Sequence, residues 1–254
     1  VPVTAGGVPG EWVVTPDSDP DHRLLWCHGG GWIACRPADY RNITSTLAQE
    51  TGAAVLAIDY RLAPEHPYPA GLDDGVAAYR WLRANGPGGP GAARSLWVAG
   101  DSAGGNLTLA LLLRLKAAAE PQPNAAATLG AATDLTGASP SMTTRAALDP
   151  MVSLDGLRTL ARLYVMGAAA LTDPFVSPLY GELAGLPPLR MHAGEREVLV
   201  DDTLRFAERA RAAGVHVEAK VWPEMIHVFE GFCHVLPEGR QSLAEIGAFL
   251  RAHG

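Results

Sequence analysis

The feature that most constrains this chain is a serine placed between a strand-like run and a helix-like run. Ser95–Gly100 is largely apolar, and Leu107–Ala119 is rich in alanine and leucine. Between them stands the pattern Gly-x-Ser-x-Gly, formed by Gly100, Ser102 and Gly104. A strand that turns at once into a helix forces its serine into a strained conformation, and small flanking residues let the two backbones pass. The pattern predicts a nucleophile above a helix N-terminus, which stabilises developing negative charge. A glycine-rich turn with an incidental serine is the alternative interpretation.

Strands and helices alternate along the chain, and the connections between them favour a parallel sheet. The continuous apolar run Ala53–Tyr60 is typical of a strand covered on both faces. The sequence therefore predicts one α/β domain over residues 1–254, with a mostly parallel central sheet, an antiparallel start and helices on both faces. The predicted strands are Glu11–Thr15, Arg23–His28, Ala53–Tyr60, Ser95–Gly100, Ala125–Thr133, Leu189–Ala193 and Val215–Trp222. The predicted helices are Ala38–Thr51, Leu72–Arg83, Leu107–Ala119, Leu154–Met166, Asp201–Ala213 and Gln241–His253.

Charge and hydropathy disfavour several classes of partner. The formal net charge of −7 argues against nucleic acid or an anionic membrane as the main partner. No apolar run approaches the ~18 residues that a membrane-spanning helix needs, and the first ten residues lack the charged-then-apolar order of a signal peptide. Cys27, Cys35 and Cys233 are odd in number and lack metal-ligand spacing, so we expect free thiols in a reducing compartment. Together these features predict a cytoplasmic protein.

A serine hydroxyl needs a base to take its proton, and in this architecture the chain order is serine, acid, histidine. Position favours His227, because it lies just beyond the predicted strand Val215–Trp222 and follows the serine. His192 lies inside a predicted strand, where a packed or hydrogen-bonded histidine is expected. The histidines that fit no strand end are His22, His66, His216, His234 and His253.

Four carboxylates compete for the role of the acid in the segment Gly194–Asp202, which follows a predicted strand and opens a helix. Asp201 and Asp202 stand where acidic residues favour a helix N-terminus, which explains both without catalysis. Glu195 and Glu197 lie on the loop itself. Glu197 precedes two apolar residues that would bury it near the sheet edge, so the residues alone favour it slightly and leave the choice open.

A run of three glycines follows the second predicted strand, within His28–Trp32 (His-Gly-Gly-Gly-Trp). Acyl transfer builds negative charge on the carbonyl oxygen, so backbone N–H donors must point at that position. Consecutive glycines let N–H groups approach a ligand with no Cβ in the way. A phosphate-binding loop is disfavoured because no Walker pattern is present. We therefore predict an oxyanion loop, with the N–H of Ala103 as a further donor.

Three motifs in this order resemble the hormone-sensitive-lipase-like branch of the α/β-hydrolases, and in particular its bacterial carboxylesterases. They are His28–Gly31, Asp59–Pro69 (Asp-Tyr-Arg-Leu-Ala-Pro-Glu-His-Pro-Tyr-Pro) and Gly100–Gly105 (Gly-Asp-Ser-Ala-Gly-Gly). Shorter matches extend the resemblance over nearly the whole chain, at Asp173-Pro174, Ser177-Pro178, Gly194–Asp202 and Ile226–Phe229.

The resemblance implies an α/β-hydrolase fold with Ser102 as nucleophile and His227 as base. It places the acid of the catalytic triad three residues after the loop glycine Gly194, which is Glu197, although most members carry Asp there. It implies an oxyanion hole built from the second and third loop glycines with the residue after the nucleophile. Those donors are Gly30, Gly31 and Ala103.

Two departures from the family pattern bear on the substrate. Family members usually carry an N-terminal helical segment that caps the pocket, and little precedes the first predicted strand here, so we expect the cap to be reduced or missing. Many relatives have Trp before Thr-Asp-Leu, where this chain has Ala132. We expect the apolar walls near Trp32, Phe175 and Leu179 to be open, and the enzyme to prefer short acyl esters of roughly C2–C6.

The sequence thus predicts a serine carboxylesterase that cleaves small esters through an acyl-enzyme, with no metal or cofactor implied. A lactone or amide hydrolase with the same residues is an open alternative. A non-catalytic ligand-binding member is disfavoured because His227 is retained, and a dehalogenase or epoxide hydrolase would need an acidic nucleophile at Ser102. The resemblance also implies a possible homodimer through Val215–Trp222 and Gln241–His253.

Overall fold

The centre of the computed structural model, which describes residues 1–254, is an eight-stranded sheet. The strands are β1 (Pro2–Ala5), β2 (Val8–Val13), β3 (Asp19–Cys27), β4 (Ala53–Ile58), β5 (Asn85–Gly86), β6 (Gly89–Pro90), β7 (Ser95–Asp101), β8 (Ala125–Leu129), β9 (Leu189–Gly194) and β10 (Val217–Trp222). The sheet order is β1-β2-β4-β3-β7-β8-β9-β10, while β5 and β6 form a separate small hairpin. β1 and β2 pair antiparallel, as do β2 and β4, and all later pairs are parallel. The predicted mostly parallel sheet with an antiparallel start is confirmed.

Helices cover both faces of this sheet. They are α1 (Arg41–Thr51), α2 (Ala70–Leu82), α3 (Ser102–Ala117), α4 (Ser141–Thr144), α5 (Leu154–Val165), α6 (Val200–Ala212) and α7 (Pro237–Ala252). Side chains of α1 and α7 pack on one face, and those of α2, α3 and α6 pack on the other. Successive residues of a strand point to opposite faces. Accordingly Leu24 and Trp26 pack in the core beneath α1 and α7, and Leu25 and Cys27 pack in the core beneath α2, α3 and α6.

The element boundaries differ from the sequence predictions in ways that packing explains. β1 was not predicted, because its four residues carry too little apolar pattern. α3 begins at Ser102 and not after Gly105, since the small residues of its first turn lie buried where a helix can approach the sheet closely. α7 begins at Pro237, the first position of a helix, which tolerates proline because its N–H would be unpaired there. The C-terminal cap of α1 is Gly52, whose left-handed φ of 67° lets its N–H bond to the carbonyl oxygen of Ala48.

The parallel strands direct the chemistry-bearing loops to one edge. β7, β9 and β10 all end at the same edge of the sheet, because parallel strands share a direction. Ser102 follows β7 directly, Glu197 lies three residues beyond β9, and His227 lies five residues beyond β10. In open parallel sheets this carboxyl edge is where ligands bind.

Candidate active site

Ser102 occupies a strained turn between β7 and α3. Its φ is +51°, in the left-handed region that non-glycine residues rarely adopt, so the predicted strain at the serine is confirmed. A Cβ at Gly104 would stand 2.0 Å from the carbonyl oxygen of Cys27 and 2.5 Å from that of His28. Only glycine therefore lets α3 approach β3 this closely, and that approach holds the serine hydroxyl at the sheet edge.

The structure brings Ser102, His227 and Glu197 into one hydrogen-bonded chain. Ser102 Oγ lies 2.9 Å from His227 Nε2, and His227 Nδ1 lies 2.8 Å from Glu197 Oε2. A neutral imidazole has one donor and one acceptor nitrogen. Because the carboxylate can only accept, Nδ1–H donates to Glu197 and Nε2 accepts from the serine hydroxyl. Glu197 is fully buried and His227 is 4% exposed, so water does not compete for the bond between them.

Burial and charge act in opposite directions on this pair. Burial raises the pKa of Glu197, and the hydrogen bond from His227 opposes that rise. Burial alone would lower the pKa of His227, but the hydrogen bond and charge of Glu197 outweigh it, with further contributions from Asp149 and Asp101. The pKa of His227 is therefore raised above its ordinary value, which makes the imidazole a stronger base.

Gly130, the residue directly after β8, supports the pair sterically. A Cβ at this position would stand 2.8 Å from His227 Nδ1 and 2.9 Å from Glu197 Oε2. The Gly130 φ of +53° and its N–H bond of 2.8 Å to the carbonyl oxygen of His192 fix it against the carboxylate and imidazole. The hydrogen-bonded pair therefore fits only against a residue with no side chain.

The predicted oxyanion donors lie beside Ser102. The N–H groups of Gly30 and Gly31 donate no hydrogen bond within the protein. Ala103 is in the first turn of α3, where backbone N–H groups have no partner inside the helix. All three residues line the same cavity as Ser102. Three residues whose N–H groups have no protein partner thus line the cavity next to the serine hydroxyl, at the N-terminus of α3.

Buried polar contacts anchor the glycine loop. Asp101 Oδ1 accepts a 2.8 Å hydrogen bond from the N–H of Gly29, and the hydroxyl of Tyr60 donates 2.7 Å to the carbonyl oxygen of His28. The imidazole of His28 stacks on Tyr60 at 4.3 Å between ring centres. Burial raises the pKa of Asp101 to about 7, although the Gly29 hydrogen bond opposes that rise. Asp101, which directly precedes Ser102, therefore ties the glycine loop to the serine turn.

A cavity of about 390 Å³ opens beside Ser102 and His227. One part of its wall is wholly apolar and is formed by Ala132, Met151, Val152, Leu157, Leu160 and Leu199. Trp32 also lines the cavity, as expected, and stacks on Tyr164 at 4.7 Å. The expectation that Phe175 and Leu179 line the same wall is wrong. Phe175 borders a separate depression next to Leu113, and Leu179 is buried in the core.

Asp202 stands in the first turn of α6, as its sequence position indicated, and it also makes contacts that the sequence did not show. Its side chain is fully buried and faces the loop after β8. Oδ2 accepts from the N–H groups of Thr133 and Asp134 at 2.8 Å each, and Oδ1 accepts from the hydroxyl of Ser139 at 2.5 Å. Asp201 accepts a 2.8 Å bond from the N–H of Ser141. Both carboxylates therefore anchor the loop that carries Ala132, and neither contacts His227.

A second buried carboxyl, Glu230, lies three residues after His227 on a short 3₁₀ turn. It accepts a 2.6 Å bond from the hydroxyl of Ser242, which in turn lies 2.7 Å from His192 Nδ1. Arg190 Nε donates to His192 Nε2 at 2.7 Å, so Nδ1 carries the proton and donates to Ser242. The hydrogen-bonded role expected for His192 is confirmed. Burial raises the pKa of Glu230 to about 8, so this carboxyl is largely neutral at pH 7 and adds little charge near His227.

Sequence reasoning missed Gly130, Asp149 and Glu230. Gly130 is a single glycine inside the predicted strand Ala125–Thr133, and an isolated glycine within a strand pattern was a usable signal for a close approach. Asp149 and Glu230 gave no such signal, because their partners lie 49 and 12 residues away along the chain.

The fold and the turn at Ser102 define the class of the protein as an α/β-hydrolase, and comparisons with known proteins agree. Residues 24–231 match the family described as having an alpha/beta hydrolase fold. An acetyl-hydrolase of Streptomyces hygroscopicus is 41% identical over 251 residues, which cover 98% of this chain and 81% of the relative. An esterase of Acinetobacter venetianus is 34% identical over 248 residues, which cover 98% and 80%.

Among solved structures, an esterase from the bacterial hormone-sensitive lipase family superposes with a TM-score of 0.94 at 42% identity. The match covers 100% of this chain and 84% of that one. The chain belongs to the α/β-hydrolase family, in its hormone-sensitive-lipase-like branch. No helix has both the length and the apolar character needed to cross a membrane.

Proposed function

We propose that this chain is a serine carboxylesterase that hydrolyses small, short-acyl esters through an acyl-enzyme. The prediction of an ester hydrolase is confirmed as a reaction class by relatives named esterase and carboxylesterase. The assignment of Ser102, His227 and Glu197 as the catalytic triad is our proposal. The observation that carries it is the unbroken chain of 2.9 Å and 2.8 Å hydrogen bonds beside a largely apolar cavity that Ser102 and His227 line.

In the acylation step, His227 Nε2 takes the proton of Ser102 as Oγ attacks the ester carbonyl. The carbonyl oxygen becomes negatively charged, and the free N–H groups of Gly30, Gly31 and Ala103 would donate to it. Such preorganised donors act strongly where water is excluded. The charged imidazolium is stabilised by Glu197 and then gives its proton to the departing alcohol. Water repeats the sequence on the acyl-enzyme and releases the acid.

The cavity supports a short acyl group. Its volume of about 390 Å³ is near the lower end of the roughly 300–1,000 Å³ of ordinary ligand pockets. The apolar wall near Leu157, Leu160 and Leu199 would bury an acyl chain of a few carbons, each CH₂ contributing about 0.8 kcal/mol. We expect kcat/KM to peak for p-nitrophenyl esters of roughly C2–C6. Parallel assays with a lactone and an anilide distinguish an esterase from the other acyl hydrolases.

Replacement of the nucleophile tests the proposal. Ser102→Ala removes the attacking oxygen, and loss of a triad nucleophile costs on the order of 10⁴–10⁶ in turnover. Ser45→Ala is a matched control, because Ser45 lies on α1 away from the cavity. We expect hydrolysis of p-nitrophenyl butyrate to disappear in the first variant and to persist in the second. Retention of more than a few per cent of activity by purified Ser102→Ala contradicts the proposal.

We also propose that the chain forms a homodimer through Val215–Trp222 and Gln241–His253. β10 is the last strand of the sheet, so its outer edge presents unpaired backbone groups that can pair with a second copy. The middle of β10 is partly exposed, from Glu218 to Val221. Light scattering coupled to size-exclusion chromatography should give twice the mass of one chain. The mass of a single chain at micromolar concentration contradicts the dimer.

A further inference from the structure

Asp149 lies between α4 and α5 and accepts three backbone hydrogen bonds. Its Oδ1 accepts from the N–H groups of Met151 and Val152 at 2.8 and 2.9 Å, and its Oδ2 accepts from the N–H of Val198 at 2.8 Å. Both carboxylate oxygens are therefore used, each for a different part of the molecule. Met151 and Val152 are two of the six residues of the apolar wall of the cavity, whereas Val198 directly follows Glu197.

The loop that carries Glu197 is weakly held by its own hydrogen bonds. The N–H of Glu197 lies 3.4 Å from the carbonyl oxygen of Gly194, and the N–H of Val200 lies 3.4 Å from that of Glu197. Both distances are long for N–H to O bonds, which cluster near 2.9–3.0 Å. The carboxylate itself is fixed on one side only, since Oε1 of Glu197 is buried without a protein hydrogen-bond partner. The position of Glu197 consequently depends on contacts from outside its loop.

On the β10 side, the N–H groups of Glu195 and Arg196 donate 2.9 Å bonds to the carbonyl oxygens of Trp222 and Met225. At Val198, directly after Glu197, the contacts come from the segment between β8 and α5. Asp149 binds the N–H of Val198, and the hydroxyl of Ser141 donates 2.5 Å to the carbonyl oxygen of the same residue. The two peptide groups of Val198 are thus held from both sides at short distance. Val198 is fully buried and so is its bond to Ser141, whereas Asp149 is half-buried.

We propose that Asp149 is a positioning residue, which joins the loop of Glu197 to the apolar wall of the cavity and so sets triad geometry and acyl fit together. The inference rests on the proposed esterase function. An acyl chain that packs on Met151 and Val152 presses on the turn that Asp149 closes, and the same carboxylate holds the peptide beside Glu197. Binding in the cavity and orientation of His227 are therefore linked through one side chain.

The negative charge of Asp149 also affects the Glu197–His227 pair. It raises the pKa of both Glu197 and His227, because a nearby negative charge favours the protonated form of each. The other groups that face His227 are Asp101, which also raises its pKa, and Glu230. Neither of these contacts Val198 or the cavity wall at Met151, so they do not share the role of Asp149.

Asp149→Asn tests the inference. An amide has one acceptor oxygen where the carboxylate has two. The variant must therefore release either Val198 or the Met151 turn, and it also loses the negative charge. Because a misplacement of about 1 Å costs about 10²-fold, we expect kcat for p-nitrophenyl butyrate to fall about 10- to 100-fold. The midpoint of the kcat/KM profile should move to lower pH, since the pKa of His227 loses one raising influence. Asp155→Asn is the matched control, because Asp155 is exposed on α5 and should leave both quantities unchanged.

Ser141→Ala provides a second variant in case Asp149→Asn does not fold. It removes the bond to the carbonyl oxygen of Val198 without changing charge, so we expect a several-fold lower kcat at an unchanged pH midpoint. Rates are expressed per active site, counted by titration with diethyl p-nitrophenyl phosphate. Wild-type kcat in Ser141→Ala, or an Asp149→Asn enzyme that matches Asp155→Asn in kcat and pH midpoint, overturns the inference. Failure of the esterase proposal is separate, because it would appear as activity that survives Ser102→Ala.

Discussion

Gly130 packs directly against both members of the Glu197–His227 pair, and Gly130→Ala is the perturbation that we develop in depth. The added methyl group would stand 2.8 Å from His227 Nδ1 and 2.9 Å from Glu197 Oε2. Ordinary contacts of a Cβ begin at 3.4 Å, so imidazole and carboxylate must each retreat by about half an ångström or more. The pair is held on its other side by Ser102, so this retreat lengthens or misaligns the Glu197–His227 or the His227–Ser102 hydrogen bond.

The magnitude follows from two separate costs. A misplacement of about 1 Å at a reacting group costs about 10²-fold in rate, so we expect kcat/KM to fall about 10- to 100-fold. The left-handed φ of +53° adds about 1–2 kcal/mol of strain in the folded state, as for any residue with a Cβ. Gly185→Ala is the matched control. Gly185 has a φ of +78°, and a Cβ there would meet nothing within 4 Å.

The assay compares the two variants in rate and in stability. Hydrolysis of p-nitrophenyl butyrate gives kcat/KM, and thermal denaturation gives the loss of stability. We expect both variants to lose a similar 1–2 kcal/mol from the backbone strain, and only Gly130→Ala to lose activity per folded molecule. If Gly130→Ala matches Gly185→Ala in kcat/KM, the steric argument for the Glu197–His227 pair is refuted.

Three further predictions concern charge and buried hydrogen bonds. The pKa of His227 is raised above its ordinary ~6.5, so the imidazole becomes protonated and stops acting as a base as the pH falls. We expect kcat/KM to fall about tenfold per pH unit below a midpoint that lies above ~6.5. A flat profile from pH 5 to 8 contradicts a histidine base. Glu197→Gln keeps the shape of the acid but removes its charge, so kcat should fall about 10³- to 10⁴-fold with the melting temperature nearly unchanged; a loss below tenfold contradicts its assignment. Asp202→Ala leaves the buried N–H groups of Thr133 and Asp134 unpaired, which costs roughly 1–3 kcal/mol each. Denaturant unfolding should show that the free energy of unfolding falls by about 3 kcal/mol. A decrease below about 1 kcal/mol contradicts the anchoring role.

The sequence predicted the fold because its strongest signals are local. The strand Ser95–Gly100, the glycine-rich turn and the start of the following helix lie within about twenty consecutive residues. The apolar run of β4 is likewise continuous. β1 and the small hairpin were missed, since four-residue and two-residue strands carry too little pattern to identify. The start of α3 at Ser102 depended on close packing against β3, which no periodicity encodes.

The site was predictable in part. His227 followed from chain order and strand ends, but the residues alone left four acids open, and the choice of Glu197 came from resemblance to a family. The helix-terminal position of Asp202 was predicted correctly, but its buried contact with Thr133 was not, because that contact spans 69 residues. The role of Asp149 was invisible for the same reason, as its partner Val198 lies 49 residues away. Contacts of this range depend on how loops meet at the sheet edge.

The central claim is that Ser102 forms the covalent acyl-enzyme, and stoichiometric labelling tests it most directly. Diethyl p-nitrophenyl phosphate transfers its phosphoryl group to an activated serine and releases one p-nitrophenolate. We predict one equivalent of p-nitrophenolate per chain, loss of esterase activity in proportion to release, and a single diethylphosphoryl adduct that mass spectrometry of peptides places on Ser102. Ser102→Ala should give no adduct. An adduct on another residue, or full activity in protein that is completely labelled, contradicts the account.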